Sequence, residues 1–327
     1  MTNRLGREFL YLSQADVAGA GLPMADIIAA LDGMFREKAA GRVEMPPKPG
    51  VHTRPDAFIH AMPAYIPAQE AVGMKWVGGY PENHRRQLPY ISGLIVLNDV
   101  ETGLPIAVMD CTWITAKRTG AATAVAARYL ARPESRTVGM LGCGVQGRSN
   151  LEALKVVFEL RTVRAFDVDR ATRESYAREM SAQCGIDVVP VAEPRDAVVG
   201  CDIVVTAGPI LRQPHATIPR GWLAEGAFAS LVDFDSYWHP DALGEVDKFC
   251  TDDVPQLEHY RHIGYFQHIP PIHADLGELV SGRKPGRQTP QERTMACNLG
   301  LALDDIATAP LVYARALKEG VGTWLPL

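Results

Sequence analysis

The sequence is short of the features that would announce a disulfide frame, a metal centre or a membrane anchor. It has six cysteines in 327 residues, at positions 111, 143, 184, 201, 250 and 297, and no C-x-x-C pair. Cysteines so far apart read as reduced, buried thiols, not as a disulfide scaffold or a zinc site. Its nine histidines include no H-x-x-x-H or H-E-x-x-H pair, so no metal is expected. No apolar run approaches the roughly 20 residues that span a bilayer, and MTNRLGREFL lacks the apolar centre of a secretory signal. Neither sign of charge dominates: 33 basic and 38 acidic residues leave a net −5, which points away from nucleic acid and membrane surfaces. There is no internal repeat and no low-complexity segment. The remaining expectation is a cytoplasmic, soluble globular protein, 47% hydrophobic and 22% charged, long enough for two domains.

What is present falls into two grammars. In PMADIIAALDGMFREKAAG, Pro23 suits the first helical position and Gly41 the stop. Ile27, Ile28, Leu31, Met34 and Phe35 form one apolar stripe between them. After the linker MPPKPG come four strand-like runs, FIHAMPAYI, VGMKWVGGY, ISGLIVLND and LPIAVMD, the last two joined as a hairpin. From about residue 135, short apolar runs (TVGMLG, TVRAFDV, DVVPV, DIVVTA, FASLV) alternate with helical segments, as buried parallel strands with crossover helices do. TPQERTMACNLGLALDD reads as a helix opened by a capping box at Thr289, Pro290 and Glu292, and a second helix is expected from Pro310 to Gly320.

TVGMLGCGVQGRSNLEALKVV places Gly142, Gly144 and Gly147 as G-x-G-x-x-G after a strand and at the start of a helix. These glycines allow a tight turn, close approach of a pyrophosphate, and close helix–strand packing, with the helix N-terminus facing the phosphates. Asp167 ends the next strand, twenty residues past Gly147, where an acid bonds the adenosine ribose hydroxyls and disfavours a 2′-phosphate. Arg170 could partly neutralise it. NAD(H) is the expected cofactor, with NADP disfavoured.

WITAKRTGAAT raises a separate question, because it sets Arg118 at the mouth of a small-residue helix. If Thr115 caps that helix, Arg118 lies in its first turn, where a guanidinium and the backbone dipoles both favour an anion. Gly120, Ala121 and Ala122 would let a ligand come close. Pairing of Arg118 with an internal aspartate, and Lys75 snorkelling from a strand, are the structural alternatives.

Together, MKWVGGYPENHRRQLPYISGLIVLNDVETGLPIAVMD, TAKRTGAATAVAARYLA, VGMLGCGVQG and GAFASLVDFD resemble the ornithine cyclodeaminase/μ-crystallin family, from about residue 20 to the C-terminus. The resemblance implies an α/β fold: a Rossmann-type NAD-binding domain inserted in a smaller α+β substrate-binding and dimerisation domain. The bounds would be 131–304 for the first and 1–130 for the second, completed by about 305–327. It further implies a homodimer and chemistry on amino acids or their imines.

By motif position, Lys75 and Arg118 are the family's α-carboxylate ligands, and Asp235 its proton-handling acid. Asp233, where relatives usually carry a small residue, is the alternative acid or a structural cap. Expected cofactor contacts are Gly142, Gly144, Val145, Gln146, Gly147 and Asp167, with Arg118 and Thr119; Gln146 could instead cap the helix. HYRHIGYFQHIPPIH reads as a loop covering the cofactor.

Ornithine cyclodeaminases carry an acid for the distal amine where this sequence aligns His60. Lys48, Arg54, His60, His84, Arg85 and Arg86 surround the implied substrate mouth, and for Arg85 and Arg86 a solvated surface role is the stronger reading. A distal carboxylate suits this set better than an ammonium, since an unpaired charge of the wrong sign costs several kcal/mol, in order of magnitude, to desolvate. Within the family the sequence is therefore most similar to an iminosuccinate reductase, forming aspartate with NADH. Lys75 and Arg118 would hold the α-carboxylate, and Lys48, Arg54 or His60 the distal one. The alternatives are an ornithine cyclodeaminase, an alanine dehydrogenase-type enzyme, or a μ-crystallin-like dinucleotide- and ligand-binding protein. A hydroxyacid dehydrogenase is weaker, because no histidine sits in an acid-paired motif.

Overall fold

The computed structural model describes residues 4–54 and 56–327, except for the side chain of His84. The backbone forms two compact units, one of Met1–Arg118 with Leu301–Leu327, the other of Thr119–Gly300.

The first unit begins with β1 (Glu8–Leu12), α1 (Gln14–Gly19) and α2 (Met24–Ala39). Ile27, Ile28, Leu31, Met34 and Phe35 are all fully buried on one side of α2, each worth roughly 1.5–3 kcal/mol of burial. Gly41, at φ +68°, turns the chain out of that helix in the left-handed region. Then follow β2 (Gly50–Val51), β3 (Phe58–Ile66), β4 (Ala71–Gly79), β5 (Ile91–Asn98), β6 (Pro105–Asp110) and α3 (Thr112–Leu130), whose residues from Thr119 onward belong to the second unit.

The second unit continues with β7 (Thr137–Leu141), α4 (Val145–Val157), β8 (Thr162–Phe166), α5 (Arg170–Cys184), β9 (Asp187–Pro190), α6 (Pro194–Val198), β10 (Ile203–Thr206) and β11 (Phe228–Leu231). After these come α7 (Pro240–Leu243), β12 (Lys248–Thr251), α8 (Val254–His262), β13 (Ile272–Asp275), α9 (Leu276–Val280) and β14 (Thr294–Cys297). The chain closes in the first unit with α10 (Ala302–Glu319) and β15 (Thr323–Pro326).

The sheet of the first unit has the order β15-β1-β6-β5-β4-β3-β2, antiparallel except for β1 beside β6. α10 packs on β3, β4 and β5 and against α2. Alternation along β4 follows from this: Ala71, Gly73, Lys75, Val77 and Gly79 are buried, while Trp76 on the opposite face is 47% exposed.

The second unit is a parallel sheet, β13-β12-β14-β11-β10-β7-β8-β9. Its order reverses between β7 and β10, and open α/β sheets bind ligands outside the strand ends at such a reversal. The core beneath joins Leu141, Val204, Leu231, Phe249 and Trp238.

Several local expectations fail. TMAC is not helical: it is β14, lying between β12 and β11, and no capping box forms at Thr289, Pro290 and Glu292. A four-residue strand buried on both faces has no periodicity to separate it from a helix. α10 does not start at Pro310 but runs through it. The missing N–H leaves one helical acceptor unused, and burial of Ala302–Ala309 overrides that cost. The short strands β1, β12, β13 and β15 and helix α1 carry no pattern the sequence reading detected.

Candidate active site

In the glycine-rich turn, the chain itself explains two of the three glycines. Gly142 has φ +99°, and a Cβ there would stand 2.5 Å from the Ala207 carbonyl oxygen. A Cβ on Gly147 would run into the Gly142 carbonyl oxygen, so α4 could not close on β7. Gly144 differs: a Cβ would meet no heavy atom within 4 Å. Gly144 is also the N-cap of α4, without a side-chain cap, which leaves the first N–H groups of the helix to other acceptors. The cradle therefore fits an approaching pyrophosphate.

Asp167, at the end of β8, accepts hydrogen bonds from the backbone N–H of Cys143 (2.9 Å) and Asp169 (3.0 Å), which fixes it beside the turn. Arg170 pairs instead with Glu174 at 2.7 Å, one turn along α5. The Gln146 Oε1 accepts the Ser149 hydroxyl at 3.3 Å, and Val145 is 61% exposed. One residue the sequence reading missed is Arg148. It donates to the Cys143 and Gly144 carbonyls and, at 2.6 Å, to Glu179, lashing the turn to α5. Its place directly after the last glycine of the motif was the available signal.

The small residues after Arg118 have a packing role that the ligand reading overlooked. A Cβ on Gly120 would collide with the Ser149 carbonyl, so α3 and α4 touch there backbone to backbone. Ala121 and Ala122 are buried, as is Thr119.

After β11 the chain places two aspartates in contrasting settings. Asp233 is fully buried, and its carboxylate accepts the Thr206 hydroxyl (2.6 Å) and the Gly208 N–H (2.8 Å). Burial lifts its pKa to about 7. Asp235 is also buried, but its Oδ1 has no hydrogen-bond partner. Burial raises its pKa as well, against lowering by backbone donors including Phe266 and by His268. Between them, Phe234 sits at φ +62°, a strained conformation for an aromatic residue. Phe266, Tyr260 and Tyr265 pack on the Phe234 ring at centroid distances of 4.8, 5.0 and 5.5 Å and hold it there. Three aromatics of HYRHIGYFQHIPPIH, the stretch expected to cover the cofactor, thus turn inward and buttress the aspartate turn.

In the first unit, Lys75 and Arg118 come together in the core, as neither strand nor helix alone would suggest. Lys75 Nζ lies 2.6 Å from Asp305 Oδ2 and 3.4 Å from the Thr115 hydroxyl. Arg118 reaches Asp305 Oδ1 through Nε at 3.2 Å and Asp304 Oδ2 through Nη1 at 3.4 Å. All four charged groups are buried. Burial, and then the Arg118 charge, push the Lys75 pKa down, while Asp305 opposes them.

The helix arrangement differs from expectation. α3 starts at Thr112, whose N–H is taken by Asp110 at 2.8 Å, so Thr115 is no cap and Arg118 lies in the second turn, beyond the strongest pull of the helix dipole. Asp304 and Asp305 were not singled out in the sequence. Asp304 accepts the Leu301 N–H at 2.9 Å as part of the α10 start, and the acid pair in LALDD was the signal.

Of the other proposed ligands, His60 lies on β3 on the sheet face of Lys75, because His60 pairs with Val77 and Met62 with Lys75. Its ring stacks on Phe58 at 4.3 Å. Lys48 is half-buried in the segment running beside β3, where the Ala61 N–H reaches the Pro49 carbonyl at 3.0 Å. Arg54 and Arg86 are exposed, Arg85 pairs with Glu82, and the His84 side chain lies outside the described residues. Among the described residues, no cluster of His, Cys, Asp and Glu could hold a metal ion, and no helix is long and apolar enough to cross a membrane.

A profile of the ornithine cyclodeaminase/mu-crystallin family matches residues 8–320. The chain belongs to that family. Among solved family structures, Thermococcus litoralis Δ1-pyrroline-2-carboxylate reductase, in complex with NADH and L-proline, is 33% identical, with TM-score 0.87 over 96% of this chain and 99% of that one. An archaeal alanine dehydrogenase dimer with bound NAD is 32% identical, also with TM-score 0.87, over 97% and 99%. The iminosuccinate reductase of Paracoccus denitrificans, in complex with NAD+, shares the fold at 22% identity and TM-score 0.82, over 98% and 100%.

Proposed function

We propose that the protein is an NAD(H)-dependent oxidoreductase that interconverts an α-imino acid and the corresponding amino acid. The observation that carries this reading is the buried Lys75–Arg118 pair, a costly arrangement for a structural core that a carboxylate ligand makes useful. An ammonium has three donors and a guanidinium five, so a substrate carboxylate can join the cluster with Asp305 in place. NADH, held at the Gly142–Gly147 turn with its ribose at Asp167, supplies the hydride. Gly144 leaves room for the pyrophosphate, and the first N–H groups of α4 meet it. The relatives of known structure bound to NAD or NADH support this cofactor.

Asp235 is the proton-handling acid. Its partnerless oxygen and raised pKa suit a carboxyl group that gives a proton to an imine nitrogen, which makes the imine a better hydride acceptor. Asp233, with both oxygens engaged, shapes the turn. Lost enzymatic function, as in a pure ligand-binding relative, would leave no purpose for the acid at Asp235.

For the substrate, iminosuccinate reduced to aspartate is the specific proposal. His60 stands on the face of Lys75, with Lys48 in the neighbouring segment, and both suit a distal carboxylate. A monocarboxylic imine is the second reading, favoured by the similarity to an alanine dehydrogenase and a Δ1-pyrroline-2-carboxylate reductase. Purified protein with NADH and ammonium should oxidise NADH with oxaloacetate and much more slowly with pyruvate. Equal or faster rates with pyruvate or Δ1-pyrroline-2-carboxylate select the second reading, and no turnover with any of the three rejects the proposal.

The homodimer is proposed on the outer face of the first unit's sheet. There Trp76 (47% exposed) and its cross-strand partner Leu94 (43%) lie on an apolar surface that α10 leaves uncovered. The alanine dehydrogenase relative is a dimer.

A further inference from the structure

We propose that Asp305 is the positioning residue of the carboxylate clamp, one carboxylate that fixes both the Lys75 ammonium and the Arg118 guanidinium. This rests on the imine-reductase reading above. The geometry is specific: Asp305 Oδ2 is 2.6 Å from Lys75 Nζ, and Oδ1 is 3.2 Å from Arg118 Nε, so each oxygen serves one cation. Three elements meet at this carboxylate, β4 through Lys75, α3 through Arg118 and α10 through Asp305 itself, and all three side chains are buried. Two cations brought together without an anion would repel each other at low dielectric.

The groups that face Lys75 are Arg118, Thr115 and Cys111 from α3 and the residue before it, and Asp305 from α10; Asp304 meets Arg118. The Cys111 thiol, lifted to about 11 by burial, stays neutral and offers no countercharge. Asp305 is therefore the anion that keeps Lys75 charged and aimed. A substrate carboxylate then meets two donors already in place, and little ordering cost remains for binding. α10 is also tied into catalysis by this contact, although Asp305 lies 187 residues from Arg118 in sequence and farther still from Lys75.

The test is the pH profile of kcat/KM for NADH oxidation, measured on Asp305→Asn and Asp305→Glu beside the wild type, with NADH affinity measured separately by fluorescence. Without its anion, Lys75 should lose its proton at lower pH. The alkaline limb of the D305N profile should move down by about one pH unit or more, and KM for the 2-oxo acid should rise about tenfold. The NADH Kd should stay within about twofold, and D305E should restore the limb toward the wild-type position. A D305N profile that superimposes on the wild type, or equal losses of NADH and substrate binding, overturns the proposal. If D305N does not fold, Lys75→Arg decides. Arginine stays charged without a partner, so the alkaline limb should vanish, and its persistence overturns the proposal. Failure of the wild type to turn over any imine is a different result and removes the parent reading instead.

Discussion

Replacing Gly144 by alanine separates what the protein needs from what a dinucleotide needs. The residue has φ −79° and ψ −157°, ordinary for an L-amino acid, and its added methyl meets nothing within 4 Å. Alanine is a poorer N-cap than glycine by about 0.5–1 kcal/mol. Reduced freedom of the unfolded chain returns about 0.4–1 kcal/mol. The net change in stability is then within about 0.5 kcal/mol, a Tm shift of about 1–2 °C for a unit of this size. At Gly147 the same methyl would overlap the Gly142 carbonyl, and overpacking of this kind costs about 1–3 kcal/mol. NADH tells the opposite story for Gly144, since the methyl stands where the pyrophosphate approaches. Loss of about 2–3 kcal/mol raises Kd roughly 30- to 150-fold. Fluorescence titration with NADH and thermal unfolding of the same preparations read both quantities. If G144A binds NADH within twofold of the wild type, or if its Tm falls as far as that of G147A, the assignment of this turn is wrong.

Further consequences can be measured alongside. Gly120→Ala should destabilise the second unit by about 1–3 kcal/mol, seen as a lower urea midpoint, because its methyl meets the backbone of Ser149. Asp233 has a folded pKa of about 7, above the unfolded value of 3.8, so the folded state binds the extra proton between these values. Wild-type stability should therefore fall as pH rises from about 4 to about 7, by roughly 4 kcal/mol at most, and level off above. Asp233→Asn should flatten that slope in a series of Tm against pH; two parallel curves would mean that Asp233 is ionised throughout. His60→Glu should raise KM for oxaloacetate with ammonium about tenfold or more and leave pyruvate almost unchanged. An unaltered diacid preference would remove His60 from the distal pocket.

Features with redundant local signals were the legible ones. The glycine spacing, the strand before it and Asp167 agree with one another, and the structure adds a packing reason for Gly142 and Gly147. Strands β3 to β6 were equally clear, because alternation and a turn at Asn98–Gly103 mark them. β14 was opaque, because a central strand buried on both faces looks like any short apolar run, and a capping pattern nearby pointed to a helix. α10 was cut short by an overreading of Pro310. The pairing of Lys75 and Arg118 with Asp305 joins residues up to 230 positions apart, and no local pattern records it. The aspartate turn shows the limit well: counting along FASLVDFD leaves two candidates, and only hydrogen bonding tells Asp233, with both oxygens engaged, from Asp235, whose Oδ1 has no partner.

The claim beneath the functional account is that the buried cations of the first unit recognise a carboxylate. It is tested most directly by comparing kcat/KM for a 2-oxo acid and for its uncharged amide, each with ammonium and NADH, in the wild type and in Arg118→Met. The wild type should prefer the acid by about 100-fold or more, since a charged hydrogen-bonded pair is worth several kcal/mol in a buried site, and R118M should lose most of that preference. An R118M enzyme that still chooses the acid as strongly as the wild type would contradict the account.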